Sequence, residues 1–259
     1  MHEWVDELLR EQPVRRENGN LVYSAQGSET WLERQKNSED QYQADDYNVA
    51  ELPILHLFGG FIAVGLRREE VVLDIGCGLT PQPPAYVEQL GLTRYIGLEP
   101  LPDMPDRSYP CLVGAMAENI PLKDSSVDIA LFATSLDHIE GEDAAIAETL
   151  RVLNPAGRLI FWQGLYEPRI QAAAKTFEPI FHGRWWRPFA APLEYLHFAN
   201  RMRKVRRKLA NHIPLDNVHS RYYTRERFDQ SLARWNLTKT REVLVPGSTG
   251  LFVEAVPGR

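Results

Sequence analysis

Val71-Val72-Leu73-Asp74-Ile75-Gly76-Cys77-Gly78 is an apolar run that ends in an acid and two closely spaced glycines. It is short, β-branched and without alternation, the pattern of a strand buried on both faces of a parallel sheet. The glycines remove side chains where the backbone must turn sharply and let a ligand come close. In open α/β sheets such turns lie at the carboxyl ends of the strands, where ligands bind. A lone Gly-x-Gly is equally an ordinary strand-to-helix turn, so its spacing to the neighbouring segments decides.

Those segments alternate. Upstream, Tyr47 to about Gly65 predicts a buried helix; its most apolar part, Leu52–Leu66, is interrupted by Pro53, His56 and Gly59-Gly60 and is shorter than the roughly 20 residues a membrane span needs. Downstream come a helix over Pro83–Leu90 and a strand over Tyr95–Leu98 that ends at Glu99. A third strand follows at Cys111–Gly114 and a fourth at Val127–Ala133. A helix from about Glu142 to Leu153 stops before Pro155 and Gly157, and a fifth strand runs over Arg158–Trp162. The chain closes with a helix over Arg225–Trp235, opened by Thr224-x-x-Arg227. Two β-like runs, Thr240–Val245 and Leu251–Ala255, are joined by a turn over Pro246–Gly250. Strands alternating with helices predict a parallel sheet covered by helices on both faces.

Two stretches stand outside this rhythm. Residues 1–46 are polar but carry Trp4, Tyr23, Trp31 and Tyr42, too aromatic for a plain disordered tail, and are expected to cap the domain. Residues 164–219, rich in aromatics and arginine, read as a helical lid. With 259 residues, 44% hydrophobic and 25% charged, the chain suits one soluble domain of generous size; a net charge of -6 argues against a general nucleic-acid binder. Two cysteines, Cys77 and Cys111, cannot make a disulfide framework or a zinc cluster, and no metal set is expected. Met1-His2-Glu3-Trp4 has no basic region followed by an apolar core, so a cytoplasmic location without a signal peptide is the expectation.

What the loop binds follows partly by elimination. A dinucleotide fold wants a third glycine where this chain has Pro81, and no Gly-Lys-Ser/Thr follows for a P-loop. The ligand is then a nucleoside without a phosphate anchor. Glu99 either offers two acceptor oxygens to a ribose or is a surface acid at a strand end.

The set of segments resembles the class I S-adenosylmethionine-dependent methyltransferases. Its matching pieces are Val-Leu-Asp-Ile-Gly-Cys-Gly (72–78), Tyr-Ile-Gly-Leu-Glu-Pro (95–100), Ala-Glu-Asn-Ile-Pro-Leu (117–122), Ser-Ser-Val-Asp-Ile-Ala-Leu (125–131) and Leu-Arg-Val-Leu-Asn-Pro-Ala-Gly-Arg-Leu (150–159). The resemblance covers roughly 47–163 and the end from Tyr222. It implies a Rossmann-like three-layer α/β sandwich with a seven-stranded, mostly parallel sheet whose last strand is antiparallel, residues 220–259 completing it. It implies S-adenosylmethionine as cofactor: Gly76 and Gly78 beside its methionine part, Asp74 toward the ammonium directly or through water, Glu99 on the ribose and Leu101 beside the adenine. Cys77, Pro100, Met116, Ala117 and Thr134 complete that wall. Met116 stands where the family often has an acid for the adenine amino group, leaving packing and the Ala117 amide there.

In the family pattern Ala133-Thr134-Ser135-Leu136-Asp137-His138 faces the cofactor. His138 is either a general base, with Asp137 or Glu140 close in sequence, or a structural histidine; Asp137 is either catalytic or a helix cap. His219 is a second candidate base, and Arg221 a candidate to orient an acidic acceptor. The run is not Asn-Pro-Pro-Tyr, the signature of base-amino methylating members. Within the lid, Phe177, Phe181, Trp185, Trp186, Phe189, Tyr195 and Phe198 either wall an apolar acceptor or form the lid's own core. The basic run Arg201–Lys208 lies on an amphipathic helix over 198–209 that is a solvated face, a membrane-surface contact or an anion site. The expected activity is methyl transfer to a small-molecule or glycan/lipid-linked acceptor at oxygen. Its rivals are an inactive cofactor-binding scaffold and an RNA methyltransferase using 201–208.

Overall fold

A computed structural model describes residues 3–24, 27, 29–44 (side chains only to 36), 53–101, 105–165, 219–245 and 248–258. Their strands are β1 (Arg15–Glu17), β2 (Asn20–Val22), β3 (Val72–Ile75), β4 (Tyr95–Glu99), β5 (Cys111–Val113), β6 (Val127–Ala133), β7 (Leu153–Gly164), β8 (Leu237–Leu244) and β9 (Gly250–Pro257). The helices are α1 (Glu3–Asp6), α2 (Glu29–Ala44), α3 (Pro53–Ala63), α4 (Ala85–Leu90), α5 (Glu142–Val152) and α6 (Arg225–Arg234). The strands lie in the order β1-β2-β5-β4-β3-β6-β7-β9-β8. From β2 through β7 each neighbouring pair is parallel, and β9 inserts antiparallel between β7 and β8.

The glycine-ended strand is central because it is apolar on both faces. Leu73 and Ile75 pack into a core with Ile96, Leu98, Phe132, Phe161 and Phe228. Val72 packs on the opposite face with Phe58, Tyr86, Tyr95 and Ile129. Each such buried side chain contributes on the order of 1.5–3 kcal/mol. The order reverses beside β3, whose neighbours are β4 and β6, so its carboxyl end opens at the switch point where α/β sheets bind ligands.

The sheet has nine strands among the described residues rather than seven. The N-terminal stretch, expected to cap the domain, contributes a hairpin to the sheet edge. Asn18 (φ 42°) and Gly19 (φ 83°) form its tight turn, the Asn-Gly pairing that a left-handed two-residue turn favours. β2 then pairs with β5, Leu21 opposite Leu112. Boundaries move as well. α4 starts at Ala85 behind Pro84, and α3 spans Pro53–Ala63, with 45–52 outside the described residues. β7 begins at Leu153, because the segment meets β6 through an irregularity that carries Pro155 and Gly157 past the edge. Thr224 opens α6 as expected, its Oγ1 accepting the Arg227 amide at 3.3 Å. The lid aromatics and the 198–209 helix lie outside the described residues. Among the described residues no helix is long and apolar enough to cross a membrane.

Candidate active site

The turn after β3 is tied across to β4, with the Gly76 and Cys77 amides donating to Leu98 O at 2.8 and 3.2 Å. Its two glycines have different reasons to be glycine. Both have positive φ, 76° and 77°. A Cβ on Gly76 would lie 2.6 Å from Ser135 Cβ, so the loop after β6 sits directly against it. A Cβ on Gly78 would meet nothing within 4 Å among the described residues. Opposite, Thr134 holds φ 61°, a left-handed conformation that a β-branched residue adopts only under strain and that concentrates at functional sites. Ser135 Oγ donates to Ile75 O, joining the two loops.

Glu99 is buried at the end of β4. Its carboxylate accepts the Gly78 amide at 3.2 Å and the Leu101 amide at 3.1 Å. Oε2 thus lies against the glycine turn and Oε1 against the segment that follows β4. Asp74 is fully buried and accepts the Tyr86 hydroxyl and, at 2.7 Å, the Tyr95 hydroxyl through Oδ2. Its Oδ1 has no hydrogen-bond partner among the described residues. Burial pushes its carboxyl up to about 6, against the two tyrosine hydrogen bonds that lower it.

Arg107 braces the loop from behind. Its guanidinium donates to Gly78 O at 2.6 Å and Thr80 O at 3.1 Å, and lies over the Tyr109 ring. The Arg107 amide donates to Asn18 O, so the N-terminal hairpin supports the brace. Cys77 turns its thiol inward, 3.7 Å from Cys111 Sγ; that hydrogen bond and burial hold it well above the usual thiol range, so it stays an uncharged packing group. Leu101 and Ala117 are buried, and Pro100 and Met116 are half-buried along the same rim.

The turn after β6 carries the second half of the site. Leu136–His138 form one 3-10 turn, and His219 returns beside it. Ser220 and Arg221 amides donate to Asp137 O at 2.7 and 3.2 Å, and Ser220 Oγ donates to His138 O at 2.8 Å. Asp137 Oδ2 accepts Gln163 Nε2 at 3.2 Å. The His138 and His219 rings are 4.6 Å apart. Their Nε2 atoms lie 4.0 and 3.9 Å from the Asp137 carboxylate. The helix-cap reading of Asp137 is overturned: α5 opens at Gly141 with no side-chain cap, and Asp137 is buried one turn earlier. Glu140 does not assist His138 either, since it pairs with Arg34 at 2.8 Å. Arg221, expected to orient an acceptor, is engaged by Glu142.

A family model described as a methyltransferase domain matches residues 73–161, the span from β3 to β7 that holds the glycine turn, Glu99 and the β6 loop. The chain carries a class I S-adenosylmethionine-dependent methyltransferase domain. The domain is similar to the ubiquinone/menaquinone biosynthesis C-methyltransferase UbiE of Psychromonas ingrahamii, 32% identical over 119 residues, 40% of this chain and 47% of that one. An uncharacterized methyltransferase of Mycobacterium bovis is 39% identical over 93 residues, 34% of this chain and 37% of the relative. The chain thus spans under half the length of these curated relatives. Among solved structures, 1,6-didemethyltoxoflavin-N1-methyltransferase of Burkholderia thailandensis, bound to 1,6-didemethyltoxoflavin and S-adenosylhomocysteine, shares the fold. It has a TM-score of 0.59 at 15% identity and covers 95% of this chain and 94% of that one. The PH0226 protein of Pyrococcus horikoshii shares it with a TM-score of 0.53 at 15% identity, covering 84% and 98%.

Within the methyltransferase domain, sequence reading found the strand-end residues but not their braces. Arg107 and Tyr86 sit in segments without a motif, Tyr95 and Ser135 lie in motifs that gave them no role, and only the folded chain brings the four around the glycine turn. Gln35, on α2, reaches His138 Nδ1 at 3.0 Å from 103 positions away.

Proposed function

We propose that this protein transfers a methyl group from S-adenosylmethionine to an oxygen of a small-molecule or glycan/lipid-linked acceptor. The observation that carries the reading is the opposition of the glycine turn to the Asp137, His138 and His219 cluster, with Ser135 joining the two loops. The residues suit the cofactor. Among the described residues nothing crowds Gly78 and nothing pairs with Asp74 Oδ1, which suits an ammonium or a water beneath it, and Glu99 offers two carboxylate oxygens for a ribose.

When bound, the cofactor supplies a methyl group already activated on a sulfonium sulfur. The chain's part is alignment, exclusion of water and handling of one proton. Glu99 exchanges its grip on the Gly78 amide for the sugar hydroxyls. His138 Nε2 takes the proton of the acceptor hydroxyl, and the Asp137 carboxylate stabilises the imidazolium so formed. His219, partly exposed, passes the proton to solvent. Of the four similar proteins named, UbiE is a C-methyltransferase and the Burkholderia thailandensis structure an N1-methyltransferase; the assignment to oxygen rests on this chain's own proton-accepting cluster.

Calorimetry with S-adenosylhomocysteine and, separately, NAD tests the cofactor; binding of NAD alone would end the reading. Labelled cofactor incubated with fractionated cell extract identifies the acceptor by mass spectrometry. With that acceptor, His138→Ala should lower turnover by roughly 100-fold or more while S-adenosylhomocysteine affinity stays within a few-fold. Unchanged turnover would remove His138 from the mechanism.

A further inference from the structure

We infer that Asp137, His138 and His219 form a site for one divalent transition-metal ion beside the turn that follows β6. The inference rests on the acceptor-side reading of this cluster and sharpens how an acceptor hydroxyl is activated there. One ligand atom from each residue lies within 4.8 Å of the others, and the group combines two imidazole nitrogens with a carboxylate. Imidazole donors of this kind favour zinc, copper, iron or nickel over magnesium and calcium.

Three further features support ligation. First, Gln35 Oε1 sits 3.0 Å from His138 Nδ1, so in this amide orientation Nδ1 carries the hydrogen. Nε2 then turns its lone pair toward Asp137 Oδ1, 4.0 Å away. An outer hydrogen bond that fixes the ring tautomer is the usual support of a metal-ligating histidine.

Second, the spacing is near what a metal needs. Bonds of about 2.1 Å place neighbouring ligand atoms roughly 3.0–3.5 Å apart, so 3.9–4.0 Å closes by small rotations of the side chains. Third, the backbone holds both segments in register through the Ser220, Arg221 and Trp31 bonds to Asp137 O and His138 O. The imidazoles remain partly exposed, 23% and 18%, which leaves coordination positions open to an acceptor.

A cation there would polarise an acceptor hydroxyl in place of proton removal by His138. The hydroxyl proton leaves to solvent, the oxygen forms its bond to the methyl carbon, and the sulfur–carbon electron pair stays on sulfur, giving S-adenosylhomocysteine.

The test uses the full chain, stripped with a chelator and titrated with Co2+ while visible absorption and calorimetry are followed. One saturable equivalent with ligand-field bands is expected. His219→Ala and His219→Gln should each weaken it by roughly 100-fold, and Gln35→Leu by about 10-fold. S-adenosylhomocysteine affinity should be unchanged in all three, which shows that they are folded. Absence of saturable cobalt binding, or the same binding in both His219 variants, overturns the site. Cobalt uptake lost with Cys77→Ser but kept in the His219 variants would assign the ion to the thiols and overturn it equally. Cofactor binding without cobalt binding refutes only the metal site, whereas cobalt binding without cofactor binding upholds the site and refutes methyl transfer.

Discussion

Replacing Asp74 by Asn should make the cofactor-free protein more stable at neutral pH and leave it a poorer binder of S-adenosylhomocysteine. The carboxyl is fully buried, and burial raises it from 3.8 to about 6. A raised acid favours its neutral form in the fold, so its stabilising effect is complete below pH 3.8 and is lost as pH climbs through about 6. Two units correspond to about 3 kcal/mol at pH 7, of which about 1 kcal/mol develops between pH 5 and pH 7. Asn keeps an oxygen for the Tyr86 and Tyr95 hydroxyls but carries no charge. Its amide, where Oδ1 now lies, costs about 1 kcal/mol if it finds no partner, and that cost does not vary with pH. The net gain at pH 7 is then about 2 kcal/mol. Urea unfolding of both proteins at several pH values from 5 to 8, without cofactor, reads the difference directly. The gap between variant and parent should widen by about 1 kcal/mol from pH 5 to pH 7. Parallel curves would show that Asp74 does not change protonation on folding, and the argument from its burial would fail.

Two further outcomes follow from the glycine turn and its neighbour. Gly76→Ala forces a Cβ to 2.6 Å from Ser135 and should lower the unfolding midpoint strongly, whereas Gly78→Ala meets nothing within 4 Å among the described residues. The latter should cost only the roughly 1–2 kcal/mol of a left-handed alanine yet weaken S-adenosylhomocysteine disproportionately; equal effects of the two on thermal melting would contradict the geometry. Glu99→Gln should weaken S-adenosylhomocysteine by roughly 10–100-fold in calorimetry, since a charged acceptor bond contributes about 1.5–3 kcal/mol. Unaltered affinity would mean that the carboxylate serves only the Gly78 and Leu101 amides.

Periodicity, glycine placement and the order of strand-end motifs determined the domain type and its ligand-bearing edge. Val72–Ile75, Val127–Ala133 and α6 emerge where the sequence predicts them, because short-range patterning dictates a buried strand or an amphipathic helix. The Asn18-Gly19 hairpin signal was present too, but pairing of β2 with β5 joins residues 91 positions apart, as Asn20 opposite Cys111 shows, and local pattern does not specify such a partner. The same holds for the site. Asp74, Glu99 and His138 carry a chemistry readable one residue at a time. Tertiary structure alone decided that Tyr86 and Tyr95 enclose Asp74, that Arg107 grips the glycine turn, and that His219 and Gln35 meet His138. Side chains from 12 to 103 positions apart converge only through packing of the whole sheet and its loops, which no local preference encodes.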